Sequence, residues 1–595
     1  MQRQRYTAQM EAPMLERQRL VRVARGLEAA DVVVKNARVV DVLTKTIYRA
    51  NVAICGGFIA AIGEYLDAVT IVDAKGKFLS PGLVDAHIHL ESAMMTPRRF
   101  AEVCVPRGTV GVVAEPHELV NVMGIKGLTY MLDAGKESVL QLWASVPSCV
   151  PASSYENPGS SVLAGEVKLA LKMDGVLGLA EMMNYPGVLN QDSHVWNILE
   201  AARGRRRDGH GAGLNGRDLT AYVAAGIHSD HEATTELEAF ERLRAGLWLM
   251  VREGSAARNL AAIAPLLIRT QPHRAMLVSD DVDARELIEM GHMDRLLREA
   301  VKNGLDPIHA IRLCSLAPAE YWKLEQRGAI APGYAADLVL FEDLTDFKVE
   351  WTMIAGEIVA RDGKLIVDEQ FQETGSPEVF ENTINLPAHW DISRLTPDEQ
   401  HILPVMVVHK DQIYTGRLEP ENVHAADPDR DLVKLAVIER HHGTGRTGVG
   451  FATGIGLRRG AIAQTVLHDA HNIIVAGVDD NDMAIAVREL ERLGGGAVIV
   501  EDGEVAARIA LPIAGLMSDE PPLELLKAQR EFETIARVLG CTLPHPIMTL
   551  AFLGLTVIPS LKLTDRGLFD VDLFKLVEPE TEDTTKKTRE ELEMF

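Results

Sequence analysis

Residues 83–89 read Leu-Val-Asp-Ala-His-Ile-His, a short apolar run that follows Pro81-Gly82 and ends on two histidines one residue apart. Bounded by turn residues and rich in branched side chains, it predicts a buried strand. Alternate residues of a strand point the same way, so His87 and His89 project together and can chelate a metal ion. Comparable runs recur at VGVVAEPH (110–117), QLWASVP (141–147), VLGLAEMMN (176–184), DGHGAG (208–213), GIHSDHE (226–232), GLWLMVREG (246–254) and RAMLVSDD (274–281). Helical patterns such as GIKGLTYMLDAGKES (124–138) and TELEAFERLRAG (235–246) lie between most of them. Eight strand–helix units in about 245 residues predict a (β/α)8 TIM-like barrel, whose chemistry gathers at the C-terminal ends of the strands.

On both sides of this region the rhythm changes to short β runs and tight turns. DVVVKNARVVDV (31–42), NVAICGGFIAAIG (51–63) and TIVDAKGKFLSPG (70–82) precede it, and residues 328–366 follow it. These predict one small β-sandwich domain from residues 31–80 together with 328–375, around a barrel at 81–327. Residues 1–30 predict a helical extension. Residues 376–595 predict a C-terminal α+β domain, opening with a Pro/Asn-rich connector and closing with a charged tail, TEDTTKKTREELEMF.

The 595 residues exceed what one hydrophobic core supports. A net charge of −24 argues against nucleic acid and anionic membranes as partners. The five cysteines form no CxxC pair, which fits a reducing, cytoplasmic compartment and excludes a thiolate zinc site. No run reaches the roughly 20 apolar residues of a membrane span.

Further polar residues fall at the predicted strand ends: Glu181, His210, His231 and Asp280, with His117 and Glu118 in EPHE and Glu232 beside His231. With the His87/His89 pair, four imidazoles and two carboxylates can hold two divalent ions, Mn2+, Fe2+ or Zn2+. Asp281 and Asp283 read as loop or capping residues. In the C-terminal region Gly443, Gly445 and Gly448 satisfy G-x-G-x-x-G, but the glycine-rich continuation cannot form the helix that a dinucleotide site needs, and a tight glycine loop is expected instead. His441-His442 and His468-Asp469-Ala470-His471-Asn472 are polar among apolar flanks; they read either as a buried hydrogen-bond network or as part of an active site. Arg458-Arg459 reads as a solvated turn.

PGLVDAHIHLESAMM (81–95), EPHE (115–118), GLAEMMNYPGV (178–188), DGHGAGL (208–214) and SDHE (229–232) resemble the amidohydrolase superfamily. Residues 448–477 resemble the C-terminal domain of its adenine deaminase branch. The resemblance implies hydrolytic deamination of adenine to hypoxanthine and ammonia, a purine-salvage reaction. It assigns His87, His89 and Asp280 to one metal and His210 and His231 to the other. Glu181 stands where many relatives carry a bridging carbamylated lysine.

A divalent ion lowers the pKa of its bound water to about 7 from 15.7, and the resulting hydroxide can attack purine C6. A general acid must protonate N1 and a base must carry the water proton to the leaving amine. Asp280 suits the shuttle, and Glu118 or Glu232 the N1 acid. His117 is either a further ligand or an oxyanion-type donor. Met182, Asn184 and Tyr185, with Met183, could shape the purine pocket, although packing suits the methionines equally. The alternative activity is a cyclic-amide or N-acyl hydrolase on the same barrel. A homodimer is the superfamily expectation.

Overall fold

The computed structural model describes residues 14–255, 257–366, 382–388, 390, 403–410, 412–419 and 423–578. The expected connector after 376 falls largely, and the charged tail from 581 entirely, outside the described residues. The chain divides into two compact units. The first holds residues 1–116, 128–148 and 163–375, and the second holds 117–127, 149–162 and 376–595.

In the first unit, eight barrel strands run in chain order: β1 (Leu83–His89), β2 (Thr109–Ala114), β3 (Gln141–Val146), β4 (Val176–Met182), β5 (Arg206–Gly209), β6 (Ser229–Asp230), β7 (Trp248–Arg252) and β8 (Ala275–Val278). Parallel ladders join β5-β4-β3-β2-β1 and β6-β7-β8. Just beyond β8, Asp280–Asp281 pairs in parallel with Ile88 and His89 and so brings the last strand back to the first. Strands β1, β2, β4 and β7 are buried along their whole length, which is why they read as apolar runs without alternation. Helices such as Leu260–Thr270 and Met293–Lys302 seal β7 and β8 with Leu260, Ile263, Leu267, Leu296 and Leu297.

The local boundaries refine the expectation at the site. β5 begins earlier than the sequence suggests and stops at Gly209, so His210 stands just past its end. β6 is only two residues long, leaving His231 outside it. A Cβ on Gly209 would lie 2.4 Å from the Ser229 carbonyl oxygen, so only glycine allows β5 and β6 to close up beneath these histidines. The small β domain is a nine-stranded sheet in which Leu338–Phe341 pairs antiparallel with Phe78–Pro81, joining segments from both sides of the barrel. The helix Met14–Ala24 packs Leu20 and Val23 against Val33, Ala53 and Cys55 of this sheet.

The second unit is built on an eight-stranded sheet, from Thr415–Arg417 at one edge to Glu504–Ala510 at the other, with helix Asp480–Leu493 contributing Met483, Ala486, Val487 and Leu490 to its core. The G-x-G-x-x-G stretch turns between Val433–Ile438 and Thr447–Thr453, which pair antiparallel from Ile438↔Thr447. No helix follows it, so it is the expected tight loop. Gly448 carries the close approach: a Cβ there would lie 2.1 Å from the Thr564 carbonyl oxygen. Arg458 and Arg459 are exposed.

Candidate metal centre

The barrel delivers six predicted ligands to one place. His87 and His89 lie on the same face of β1; Glu181 is the penultimate residue of β4; His210 and His231 follow β5 and β6; Asp280 follows β8. All six are buried. Asp280 has φ +60°, an uncommon conformation for a residue with a Cβ, and it starts the short strand beside β1. Its Oδ1 lies 3.4 Å from His87 Nε2 and 3.1 Å from His89 Nε2.

Glu181 divides its carboxylate between two histidine sets. Oε1 faces His89 Nε2 at 3.5 Å, while Oε2 lies 2.6 Å from His210 Nδ1 and 3.1 Å from His231 Nε2. Its backbone N–H donates to Glu115 Oε1 at 3.0 Å, holding the end of β4 against the end of β2. The imidazoles are oriented from behind. His89 Nδ1 is 3.0 Å from the Glu115 carbonyl oxygen, a contact that fixes the proton on Nδ1 and leaves Nε2 to face the carboxylates. Glu115 Oε2 stands 3.4 Å from His87 Nδ1. His87 Nε2 is buried and makes no hydrogen bond.

Burial works against ionised Glu181, yet the His210 and His231 charges and hydrogen bonds outweigh it and hold the carboxyl well below its usual range. Asp280 is likewise held low against burial, by the His87 and His89 imidazoles 3.4 and 3.1 Å from its Oδ1 and by the His231 charge. Conversely, Glu181 drives His231 well above the usual imidazole value although burial opposes the charge. Protons here stand in for cations, as expected of ligands that must lose protons when metal binds. The donor set, its 2.6–3.5 Å separations and the buried His87 Nε2 without a hydrogen bond fit the ligation of divalent metal.

Two residues of this site escape the sequence reading. Glu115 lies within EPHE, where nothing local marks it as an anchor for His87, His89 and Glu181. Arg252, the last residue of β7, donates to both oxygens of Glu232 and, from Nη1, to Asp280 Oδ2 at 3.2 Å. Its signal in the sequence is an arginine closing the otherwise apolar run WLMV. Burial opposes the Glu232 charge, but Arg252 and His210 override it and keep the group a carboxylate.

Other candidates are placed differently. Asn184 caps the turn Tyr185–Leu189, accepting from Gly187 N at 2.9 Å, and the Met182 carbonyl accepts from Tyr222 Oη at 2.6 Å. Met182 and Met183 are buried, and Tyr185 is half-buried. Asp283 caps helix Ala284–Met290, while Asp281 accepts from Ser92 Oγ. His117 and Glu118 belong to the second unit, where His117 Nε2 faces Asp469 Oδ1 at 3.4 Å and Glu118 Oε1 faces His468 Nδ1 at 3.5 Å. His441 Nε2 and the Ala470 carbonyl are 2.8 Å apart, and Asn472 Oδ1 accepts from Arg440 N, so much of the polar C-terminal run is a buried hydrogen-bond network.

Comparison with known proteins agrees with this architecture. Residues 78–359 match the amidohydrolase family, and residues 407–575 match the adenine deaminase C-terminal domain. An adenine deaminase of Deinococcus deserti is 51% identical over 567 residues, covering 94% of this chain and 98% of that protein. One of Deinococcus radiodurans is 50% identical over 530 residues, covering 88% and 95%. The crystal structure of an adenine deaminase aligns over 56% of this chain and 100% of its own, with 18% identity and a TM-score of 0.44. With both family regions present and half of the residues shared across almost the whole length of these relatives, the chain belongs to the adenine deaminases of the amidohydrolase family.

Proposed function

We propose that the chain converts adenine and water to hypoxanthine and ammonia at the barrel site. The observation that carries this reading is the division of the Glu181 carboxylate between His89 on one side and His210 and His231 on the other. His87, His89 and Asp280 would hold one divalent ion, and His210 and His231 the second, with Glu181 shared. Bound there, the ions would supply the acidity that makes water a nucleophile near neutral pH.

The remaining work falls to side chains. Asp280 accepts the proton of the attacking water and passes it to the departing amine, because its Oδ1 faces the ligand cluster while Arg252 holds Oδ2. Glu232, paired to Arg252, suits a fixed negative charge better than the N1 acid. Met182, Asn184 and Tyr185 act through the shape and stiffness of the β4 end.

Manganese-loaded protein should convert adenine to hypoxanthine, followed by the change in ultraviolet absorption, and chelation should abolish it. Turnover of a hydantoin or dihydropyrimidine with none of adenine would replace this reading by a cyclic-amide hydrolase.

A further inference from the structure

The seam where β8 meets β1 carries little backbone pairing. Among the described residues, its ladder consists of Asp280 beside Ile88 and Asp281 beside His89. Yet His87, His89 and Asp280, three of the ligands assigned above, meet across this seam. Their separation depends on something other than a continuous ladder.

Asp85 spans that gap. It lies two residues before His87 on β1, on the same face of the strand, and its side chain is fully buried. Its Oδ1 accepts from the backbone N of His87 at 3.3 Å, and both oxygens accept from the backbone N of Ser279 at 3.3 Å. Oδ2 also accepts from Ser279 Oγ. Ser279 directly precedes Asp280, so one carboxylate ties the amide of one ligand to the residue before another. The φ of +60° at Asp280 is a conformation that persists only where its surroundings enforce it. Asp85 holds the chain on the N-terminal side of Asp280, and Arg252 holds its Oδ2.

His292 braces Asp85 from the N-terminus of helix Met293–Lys302. Its Nε2 is 3.0 Å from Asp85 Oδ2, and its Nδ1 is 3.0 Å from Thr109 Oγ1 at the start of β2. The Phe100 ring meets the imidazole edge-on, with centroids 5.2 Å apart. Thr109, Ser279 and His292 are all fully buried. A carboxylate only accepts, so His292 carries its proton on Nε2. Burying a carboxylate is tolerated only where hydrogen bonds replace its water. Here β1, the end of β8 and the helix supply them together, which favours one closed position of the seam.

We propose that Asp85 is a positioning residue of the metal centre. Braced by His292, it fixes the distance between Asp280 and the His87/His89 pair. This role rests on the ligand assignment above, and it is exerted through the backbone of His87 and Ser279.

The test compares full-length wild type with Asp85→Asn, His292→Leu and His292→Gln. Manganese affinity is read by competition with a chelator, and adenine turnover at saturating manganese. Asp85→Asn should bind manganese about 10- to 100-fold more weakly, the range that supporting partners of metal ligands command. At saturating manganese its kcat should still be lowered at least about tenfold, with KM changed less, because added metal does not restore ligand positions. His292→Leu should share both losses. His292→Gln, which keeps an N–H for Asp85, should recover most of each. Lower melting temperatures with wild-type manganese affinity and kcat in the folded variants would mark a purely structural role and overturn the proposal. Should Asp85→Asn fail to fold by circular dichroism, Ser279→Ala, which removes only the hydroxyl link, decides. It should weaken manganese binding about two- to tenfold, and unchanged affinity would overturn the proposal. The affinity comparison is independent of substrate. Wild type that binds manganese but leaves adenine unconverted would fault the reaction, while weaker binding by Asp85→Asn would still support this role.

Discussion

Arg242 Nε lies 2.7 Å from Asp230 Oδ1, and neither side chain touches solvent. The pair is the hub of a clamp between two ligand loops. Asp230 Oδ2 accepts from Gly211 N at 2.7 Å and Oδ1 from Glu232 N at 2.9 Å, while Arg242 Nη2 donates to the Gly211 carbonyl at 2.8 Å. Gly211 follows His210 and Asp230 precedes His231, so one buried ion pair sets the separation of two proposed metal ligands.

Removing one partner of a buried pair costs about 3–5 kcal/mol, because the other charge stays buried alone. Arg242→Leu should therefore lower stability by that amount in urea titrations. Its metal content should fall selectively, with the ion held by His210 and His231 lost first. A full metal complement in the soluble variant would show that the clamp serves folding alone.

Glu181→Gln keeps the shape of the carboxylate and removes its charge. Metal content should drop by at least one ion per chain, and adenine turnover by more than about 100-fold, beyond what outer-shell changes cost. Elemental analysis alongside ultraviolet kinetics reads both. Unchanged turnover at reduced metal content would contradict the shared-carboxylate geometry.

Arg252→Gln should act through Asp280. The guanidinium contributes to keeping Asp280 ionised, so its loss raises the pKa of that carboxyl. The acidic limb of kcat/KM should then move to higher pH, with the basic limb unmoved. Arg252→Lys, which retains the charge, should restore most of the wild-type profile. An identical profile in Arg252→Gln would separate Arg252 from the proton shuttle.

Asp208, on β5, predicts a pH effect on stability of the metal-free protein. Burial pushes its carboxyl up to about 7, although hydrogen bonds from Tyr321 and Ser229 and the His87 charge oppose this. The unfolded value is the ordinary 3.8. A raised folded value means that the folded state binds more protons, so the Asp208 contribution is fully present below about 3.8 and is lost as pH rises through about 7. Asp208→Asn should flatten the decline between these limits, gaining up to roughly 4 kcal/mol at pH 8 from about three pKa units at 1.36 kcal/mol each. Denaturation midpoints at pH 5 and pH 8 measure this, and parallel curves for both proteins would refute it.

Much of the barrel is legible in the sequence because its strands are buried on both faces and therefore appear as uninterrupted apolar runs, as in TVGVVA of β2. The candidate metal ligands are legible because barrel chemistry gathers where those runs end. Strand limits are less so: β6 shrinks to Ser229–Asp230 because pairing depends on a neighbouring strand, which local composition does not record.

His87 and His89 declare themselves in sequence, since strand alternation alone places both on one face of β1. Glu181, His210, His231 and Asp280 are found by a second cue, polar residues at or just past the ends of the other apolar runs. What tertiary structure alone decided is their supporting chemistry. Arg252 meets Glu232 and Asp280 across intervals of 20 and 28 residues, and Arg242 meets Asp230 from the following helix. His117 and Glu118 reach His468 and Asp469 more than 300 residues along the chain. Local periodicity specifies which way a side chain points from its own strand. Which distant charge meets it is set by how the whole chain closes, because a buried charge is tolerated only where folding delivers its partner.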